Sequence, residues 1–333
     1  MAQHDTQGST STFSVASWRL AVVTLALNVV VILQGAFVRI SGSGAGCGSH
    51  WPTCNGTVVP LNPSLETLIE FSHRLLSFAV LVLGVWLFRR ALRTRRERPG
   101  FHAFATASLV FVVIEALIGG ATVMLGLTGD NASIARGVWV ASHLVNSLLL
   151  IGALAATVVY AARTTPEYPL RLAHQGGVST VFIVAIVAAL VLSFTGGIAA
   201  MGNTIFPSES LAEGFRADFD PESHLLIRLR ILHPLIAITV GVYLFVALGL
   251  SWYLKPVAEA RRLAQVLLGV YVAQLIVGTF NLAFLAPMAL QFLHLLLAVA
   301  AFALLASLTV TQLGGTVVGT RRFRTDGATL ENT

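Results

Sequence analysis

Long runs of apolar residues, separated by short polar segments, dominate the pattern of this chain. Most runs reach about 20 residues, the length that an α-helix needs to cross the hydrocarbon core of a bilayer. Because backbone groups in lipid must be paired within one segment, runs of this length predict helices rather than barrel strands. The predicted spans are 18–40, 67–88, 102–126, 138–162, 175–202, 226–254, 262–284 and 289–312.

The composition leads to the same fold class, an all-α integral membrane protein with eight transmembrane helices. Apolar residues make up 56% of the chain, charged residues 11%, and the mean hydropathy is +0.80. A soluble domain carries roughly 25% charged residues. Residues 1–17 are polar and lack a basic region of the kind that begins a signal peptide. We therefore predict a cytoplasmic N-terminal tail followed by a retained first helix.

Basic residues lie in alternate loops, so the net charge of +6 reflects membrane topology rather than binding of nucleic acid. The basic segments are 89–101, 163–174, 255–262 and 313–333. The segments poor in basic residues are 41–66, 127–137 and 203–225. The positive-inside rule places the basic segments and both termini in the cytoplasm. The other three loops are then expected on the outer side of the cell membrane.

The two halves of the chain resemble each other in sequence. The matching stretches are 66–88 with 224–245, and 114–127 with 273–285. Four spans in each half make the two halves parallel rather than inverted repeats. We expect two duplicated four-helix bundles, packed side by side. The bundles are predicted at 18–162 and 175–312, with a cytoplasmic linker at 163–174 and a cytoplasmic tail at 313–333.

Four of the nine histidines lie in the interior of predicted spans, namely His73, His143, His233 and His294, and the others lie in the tail, in loops or at span ends. Each follows the outer start of an even-numbered helix by five to seven residues, or about 8–10 Å of helix rise. The repeat pairs His73 with His233 and His143 with His294. Two imidazoles at one depth in a four-helix bundle suit the axial positions of a haem iron. The pattern therefore predicts one haem site in each half.

Other roles are open to these histidines. A single buried histidine often makes only a helix–helix hydrogen bond. A zinc or di-iron site would need carboxylates or thiols near the histidines, and the sequence has none beside His233.

Arginines also lie near the outer ends of the spans, namely Arg39, Arg74, Arg228 and Arg230. They could extend to lipid head groups. They could instead pair with haem propionates, since a guanidinium binds a carboxylate in a two-pronged manner.

Glu70 distinguishes the two halves, because its repeat partner is Arg230. Residues three apart share a helix face, so we expect Glu70 to face the iron bound by His73. A carboxylate there can move protons or hold a water molecule or a substrate carbon in place. A salt bridge to Arg74, or a position at the membrane surface, is the alternative. Glu115, whose repeat partner is uncharged, is interpreted as a structural polar contact or as part of a proton path.

The outer loop 41–66 contains both cysteines of the chain, Cys47 and Cys54. Disulfides form and persist outside the cytoplasm, so a bridge between them is expected just above His73. A metal-binding pair and a redox-active dithiol are the alternatives.

Together these residues resemble the haem A synthase family. The matching features are segment 39–60 with its Gly-Ser-Gly and Cys…Trp-Pro-x-Cys-Asn-Gly runs, the Glu70-x-x-His73-Arg74 motif, and the later histidines His143, His233 and His294. The eight spans and the internal repeat also fit, so the resemblance covers nearly the whole chain.

The resemblance implies an oxidoreductase that converts the C8 methyl group of haem O to a formyl group. Successive hydroxylations, with water as the oxygen source, would give haem A for cytochrome oxidase. His73 and His143 would be the axial ligands of the substrate haem O. His233 and His294 would be the axial ligands of a haem B cofactor.

The resemblance also implies roles for residues at the outer end. Glu70 would be the catalytic carboxylate, and Cys47–Cys54 the family's loop disulfide. Some family members have another cysteine pair before the sixth span, whereas 203–225 of this chain has no cysteine. Haem O synthase, a farnesyltransferase, is the implied partner, and the electron acceptor is not identified.

Two other classes of protein are compatible with parts of the pattern. A two-haem b-type electron-transfer cytochrome would use the same four histidines but would not need Glu70 in one half only. A transporter with a His/Glu proton relay would be expected to have polar groups at the bilayer midplane.

Overall fold

The computed structural model describes residues 4–163, 170, 172–173 and 175–314, with side chains from residue 15 onward. This part of the chain is helical and contains no strand. The helices are α1 His4–Ile40, α2 Leu65–Arg93, α3 Pro99–Met124, α4 Ile134–Ala162, α5 Gly177–Ile205, α6 Leu211–Phe219, α7 Leu225–Arg228, α8 Leu232–Leu254, α9 Ala258–Ala283 and α10 Met288–Leu313. Short 3-10 turns cover Ser43–Ala45 and Leu229–Ile231.

Eight spans in the described ranges are long and apolar enough to cross a membrane, which confirms the predicted number. Six of them coincide with single helices, the first span covers Val15–Ile40 of α1, and the sixth covers Leu225–Leu254. The protein is therefore a multi-pass membrane protein. Residues 4–17, which we interpreted as a tail, continue α1 as helix. The predicted linker falls partly, and the predicted C-terminal tail almost entirely, outside the described residues.

Serine caps begin the two helices that carry the first pair of histidines. The Ser64 hydroxyl accepts a hydrogen bond from the Thr67 amide at the start of α2. The Ser133 hydroxyl accepts from the Arg136 amide at the start of α4. Each cap satisfies an amide that has no partner within its helix, and so defines where the helix begins.

The sixth span is interrupted immediately before His233. The chain passes from α7 through the 3-10 turn Leu229–Ile231 into α8. Pro234 lies in the first turn of α8 and has no amide hydrogen to donate to the Arg230 carbonyl. The proline therefore accounts for a new helix start at this point. His233 consequently stands in the first turn of α8, whereas His73 lies within the continuous helix α2.

The eight long helices pack in two groups. In the first, α1 and α3 each contact both α2 and α4; in the second, α5 and α9 each contact both α8 and α10. Helix α4 also packs against α5 and α10. Of the residues in its apolar 18-residue stretch, 72% are buried. These contacts place α4 between the groups. The duplication of the halves stays a prediction.

Candidate haem sites

The four intramembrane histidines lie near one end of their spans, somewhat deeper than expected. His73, His143 and His233 follow the first residue of their spans by eight or nine residues, and His294 follows by six. This corresponds to about 9–14 Å along the helix axis. The difference from the expected depth arises because the helices begin one to four residues before the predicted starts.

His233 and His294 face each other across the second group of helices. Their ring centroids are 6.2 Å apart, and the ring planes are nearly perpendicular at 85°. A metal–imidazole bond is about 2 Å long, and the ring centre lies roughly 1 Å beyond the nitrogen, so two rings on one iron have centroids about 6 Å apart. The separation of these two rings therefore fits an iron bound between them.

Hydrogen bonds orient the His233 ring. Its Nδ1 lies 3.2 Å from the Leu192 carbonyl oxygen and 3.4 Å from the Thr195 hydroxyl, both on α5. A histidine that donates from Nδ1 to a carbonyl presents the lone pair of Nε2, which is the usual arrangement for a metal ligand. Neither Leu192 nor Thr195 was among the predicted site residues, because this contact depends on how α5 packs against α8.

Two of the histidines, His143 on α4 and His294 on α10, each contact a polar side chain on the helix that precedes their own. Oε1 of Glu115 lies 3.3 Å from Nδ1 of His143, which is within ion-pair distance, although this nitrogen makes no hydrogen bond. Glu115 also accepts hydrogen bonds from Asn146 and Ser147. The amide nitrogen of Gln274 lies 3.2 Å from Nε2 of His294. Glu115 therefore makes polar contacts within the first group of helices and directly touches a candidate ligand, while its part in a proton path stays a prediction.

Several ring nitrogens are buried without a hydrogen-bond partner, namely Nδ1 of His73, of His143 and of His294. Such orphaned groups are uncommon in folded proteins and call for an explanation. His73 and His143 are close enough to interact electrostatically. An iron bound through Nε2 would not itself pair these Nδ1 atoms, so the orphaned nitrogens mark the rings as buried and polar without identifying a ligand. The ring separation of His233 and His294 fits haem ligation by that pair, and the assignment of all four ligands stays a prediction.

Glu70 is buried, with only 4% of its surface exposed. Its Oε2 accepts a hydrogen bond of 2.9 Å from the Cys47 amide, and its Oε1 pairs with Arg74. The salt bridge considered as an alternative is therefore present. A carboxylate has about four lone-pair positions, so these two contacts leave acceptor capacity. The catalytic role of Glu70 stays a prediction.

The loop between α1 and α2, which the charge pattern predicts to be the outer loop, is folded onto α2. Cys47 and Cys54 form a disulfide, which confirms the predicted bridge. The Arg74 guanidinium donates to the carbonyl oxygens of His50 and Thr53, at 2.7 and 2.6 Å. At Gly46 a Cβ atom would lie 2.5 Å from the Glu66 carbonyl carbon, so only glycine fits this contact. The loop thus covers the end of α2 and encloses Glu70.

The four predicted arginines all have protein partners. Arg74 is held by the loop, and Arg228 makes one long contact of 3.5 Å with the Pro221 carbonyl. Arg230 binds Asp218 at 2.8 Å and Asn203 at 2.9 Å. These contacts already use donors that the prediction assigned to haem propionates, and the propionate contacts stay untested.

Arg39 has a different position from the other arginines, because it joins the two groups of helices. From α1, it donates to the Ala200 carbonyl at 3.1 Å and to the Thr204 hydroxyl, both on α5. It also donates to Oε1 of Gln291 on α10, at 2.9 Å.

The fold and the site define a helical membrane protein that carries two intramembrane pairs of histidines. The family model COX15-CtaA, described as "Cytochrome oxidase assembly protein", matches residues 18–306. The chain therefore belongs to this family.

Curated relatives have two kinds of name. Proteins named Protoheme IX farnesyltransferase from two strains of Thermus thermophilus are 44% identical over 290 residues, covering 86% of this chain and 46% of theirs. The Heme A synthase of Bacillus mycoides is 44% identical over 107 residues, or 32% of this chain and 34% of that protein. The Heme A synthase of Alkalihalophilus pseudofirmus is 36% identical over 110 residues, or 32% and 36% of the two chains. The chain thus spans less than half the length of these relatives.

Proposed function

We propose that this protein is a haem A synthase, which oxidises the C8 methyl group of haem O to a formyl group. Membership of the COX15-CtaA family and similarity to proteins named Heme A synthase support this function. The observation that carries it is the asymmetry of the two histidine pairs. A buried carboxylate, Glu70, lies one helical turn from His73, whereas Arg230 takes the corresponding place before His233.

The reaction makes separate demands on protons and electrons. Two successive hydroxylations with water give a geminal diol, and loss of water from the diol leaves the formyl group. Each hydroxylation releases two protons and two electrons. The chain must therefore accept protons next to the methyl group and provide a route for the electrons to an acceptor.

Residues of the first half would hold the substrate and handle the protons. His73 and His143 would bind the iron of haem O and so fix the macrocycle relative to α2 and α4. Glu70 would accept a proton from the attacking water, using a lone pair not engaged by Cys47 or Arg74. The disulfide-closed loop would restrict the access of bulk water to this position.

Residues of the second half would hold the cofactor. His233 and His294 would bind haem B, which supplies one-electron transfer when it is bound. The Leu192 carbonyl would keep His233 in the tautomer that ligates through Nε2. No carboxylate corresponding to Glu70 is needed at a site that only carries electrons.

The proposed partner is haem O synthase, the farnesyltransferase that would supply the substrate. The Thermus relatives support this pairing, because they have that name and more than half of their length lies outside the part matched by this chain. We further propose that both termini are cytoplasmic and that both haem sites lie toward the outer face, as the loop charges predict.

Identification of the bound haems tests this function. The protein would be purified in detergent from a host that makes haem O, and its haems would be extracted and identified by mass. We expect haem B together with haem O, hydroxylated haem O or haem A. Haem B alone would refute processing of haem O and favour a two-haem electron carrier. A protein without haem would refute both functions.

Glu70→Gln tests the proposed proton acceptor. We expect haem A formation to fall by roughly 100-fold or more, a typical effect of removing a general base, while both haems remain bound. Glu66→Gln is the matched control, because Glu66 lies one turn earlier on α2 and is exposed. Full activity of Glu70→Gln, or an equal loss in Glu66→Gln, would contradict the assignment.

A further inference from the structure

Each of the four candidate haem ligands packs against a glycine of the preceding long helix. The pairs are Gly35 with His73, Gly119 with His143, Gly196 with His233, and Gly278 with His294. The glycines belong to α1, α3, α5 and α9, and the histidines to α2, α4, α8 and α10. The same contact therefore occurs at all four ligands.

The contacts differ in how much room they leave. A Cβ atom at Gly278 would lie 2.8 Å from Cε1 of His294, and one at Gly196 would lie 2.9 Å from Cε1 of His233. Carbon atoms in favourable contact are about 3.5–4.0 Å apart, so alanine at either position would displace the ring. A close approach of backbone and ring therefore requires glycine at these two positions.

The corresponding contacts in the first half are looser. A Cβ atom at Gly35 would lie 3.1 Å from Cε1 of His73, which demands a small movement of the ring. At Gly119 the nearest atom of His143 would be 3.6 Å away, an ordinary van der Waals contact. The four positions thus form a series, with Gly278 and Gly196 the most restrictive and Gly119 the least.

Sequence position links the glycines to the predicted repeat. Gly119 lies four residues after Glu115, and Gly278 lies four residues after Gln274, its repeat partner. Glycine weakens a helix interior relative to alanine, so helix stability does not explain these positions. Space for an imidazole does explain them.

We propose that these four glycines are positioning residues that set the place and tilt of the haem ligands, and that they hold the His233–His294 pair more tightly than the His73–His143 pair. The ligand role rests on the proposed function. The tighter pair is the one assigned to the resident haem B. The looser pair is assigned to haem O, which must enter and must leave as haem A. Among the four ligands, His143 is the one least constrained by its glycine.

Alanine substitution at each glycine tests the series. Haem content per protein, the electron paramagnetic resonance spectrum of the low-spin ferric haem, and its midpoint potential would be measured. We expect Gly278→Ala and Gly196→Ala to shift the haem B spectrum and to lower its retention by roughly tenfold, whereas Gly119→Ala stays within about twofold of the parent. We expect Gly35→Ala to lie between these limits.

Gly269→Ala is the matched control, because Gly269 is also on α9 and no heavy atom lies within 4 Å of a Cβ there. We expect this variant to leave the spectrum and the haem content unchanged. An unchanged spectrum and haem content in Gly278→Ala, an equal disturbance in Gly269→Ala, or a larger disturbance in Gly119→Ala than in Gly278→Ala would overturn the proposal.

A double-mutant cycle on the melting temperature gives a second readout that does not require a haem spectrum. We expect Gly278→Ala to lower the melting temperature in the parent protein. In the His294→Ala background it should be neutral or raise the melting temperature, because the ring is gone and alanine favours the helix. An equal decrease in both backgrounds would overturn the proposal, since the glycine would then act on helix packing alone. Absence of haem from the parent would instead refute the proposed function.

Discussion

Arg39 connects the two groups of helices, and its replacement by methionine should loosen their docking. Methionine keeps an unbranched apolar stem but removes the donors to Ala200, Thr204 and Gln291. Polar contacts between membrane helices contribute about 0.6 kcal/mol on average and up to about 1.7 kcal/mol. Three contacts therefore give roughly 2–5 kcal/mol, which corresponds to a melting temperature lower by roughly 5–10 °C.

Thermal unfolding in detergent would measure this effect. Arg228→Met is the control, since Arg228 makes one long contact of 3.5 Å with a carbonyl of the same loop. We expect this control to melt within about 1 °C of the parent protein. Equal melting temperatures for Arg39→Met and Arg228→Met would refute the reasoning.

The same variant distinguishes docking of the helices from binding of a haem propionate. Arg39→Met would also be made in a His233→Ala background, in which the proposed cofactor haem is lost. If Arg39 acts by joining the helices, the decrease in melting temperature persists in that background. If it acts through a propionate of that haem, the decrease disappears there.

Two further predictions concern the outer loop and the opposite end of the protein. Replacing both Cys47 and Cys54 by serine should remove roughly 2–3 kcal/mol of loop stability and speed proteolysis within 41–64; an unchanged cleavage rate would contradict this. Burial lowers the pKa of Lys255, the only lysine of the chain. When the rate of chemical labelling of its amine is measured against pH, the midpoint should therefore lie below about 10.4. A midpoint at or above that value would contradict the structure. Because the native state loses this proton before the unfolded state does, the group's contribution to stability rises with pH between the lowered pKa and about 10.4.

The spans, the presence of four histidines within them and the disulfide could be predicted because each depends on local pattern. Hydropathy defines a span without reference to its neighbours, and Cys47 and Cys54 are close enough in sequence to meet within one loop. The helix α6 was missed, although Ser210 and Glu213 have the spacing of a capping box. In the structure the Ser210 hydroxyl accepts from the Glu213 amide. The signal was therefore present in the sequence.

Other features depend on tertiary contacts that no local pattern encodes. The three partners of Arg39 come from helices far away in the chain, and the bond between the Cys47 amide and Glu70 depends on how the loop folds back. Glu70 was expected to face a cavity beside His73, and its contacts with the loop could not be read from helix periodicity. The close approach of Gly278 to His294 likewise follows from the packing of α9 on α10.

Closely packed apolar side chains occur where helices of the two groups meet. Ala141 of α4, Ile198 of α5 and Leu226 of α7 form one buried cluster there, and Leu148 and Phe302 belong to a second. Electrons can tunnel through such a medium, but protons need a chain of hydrogen-bonding groups. In a haem A synthase, the electrons and the protons released by each oxidation would therefore leave the substrate in different directions. The electrons would pass between the two groups of helices to the second histidine pair, and the protons would leave on the side of Glu70.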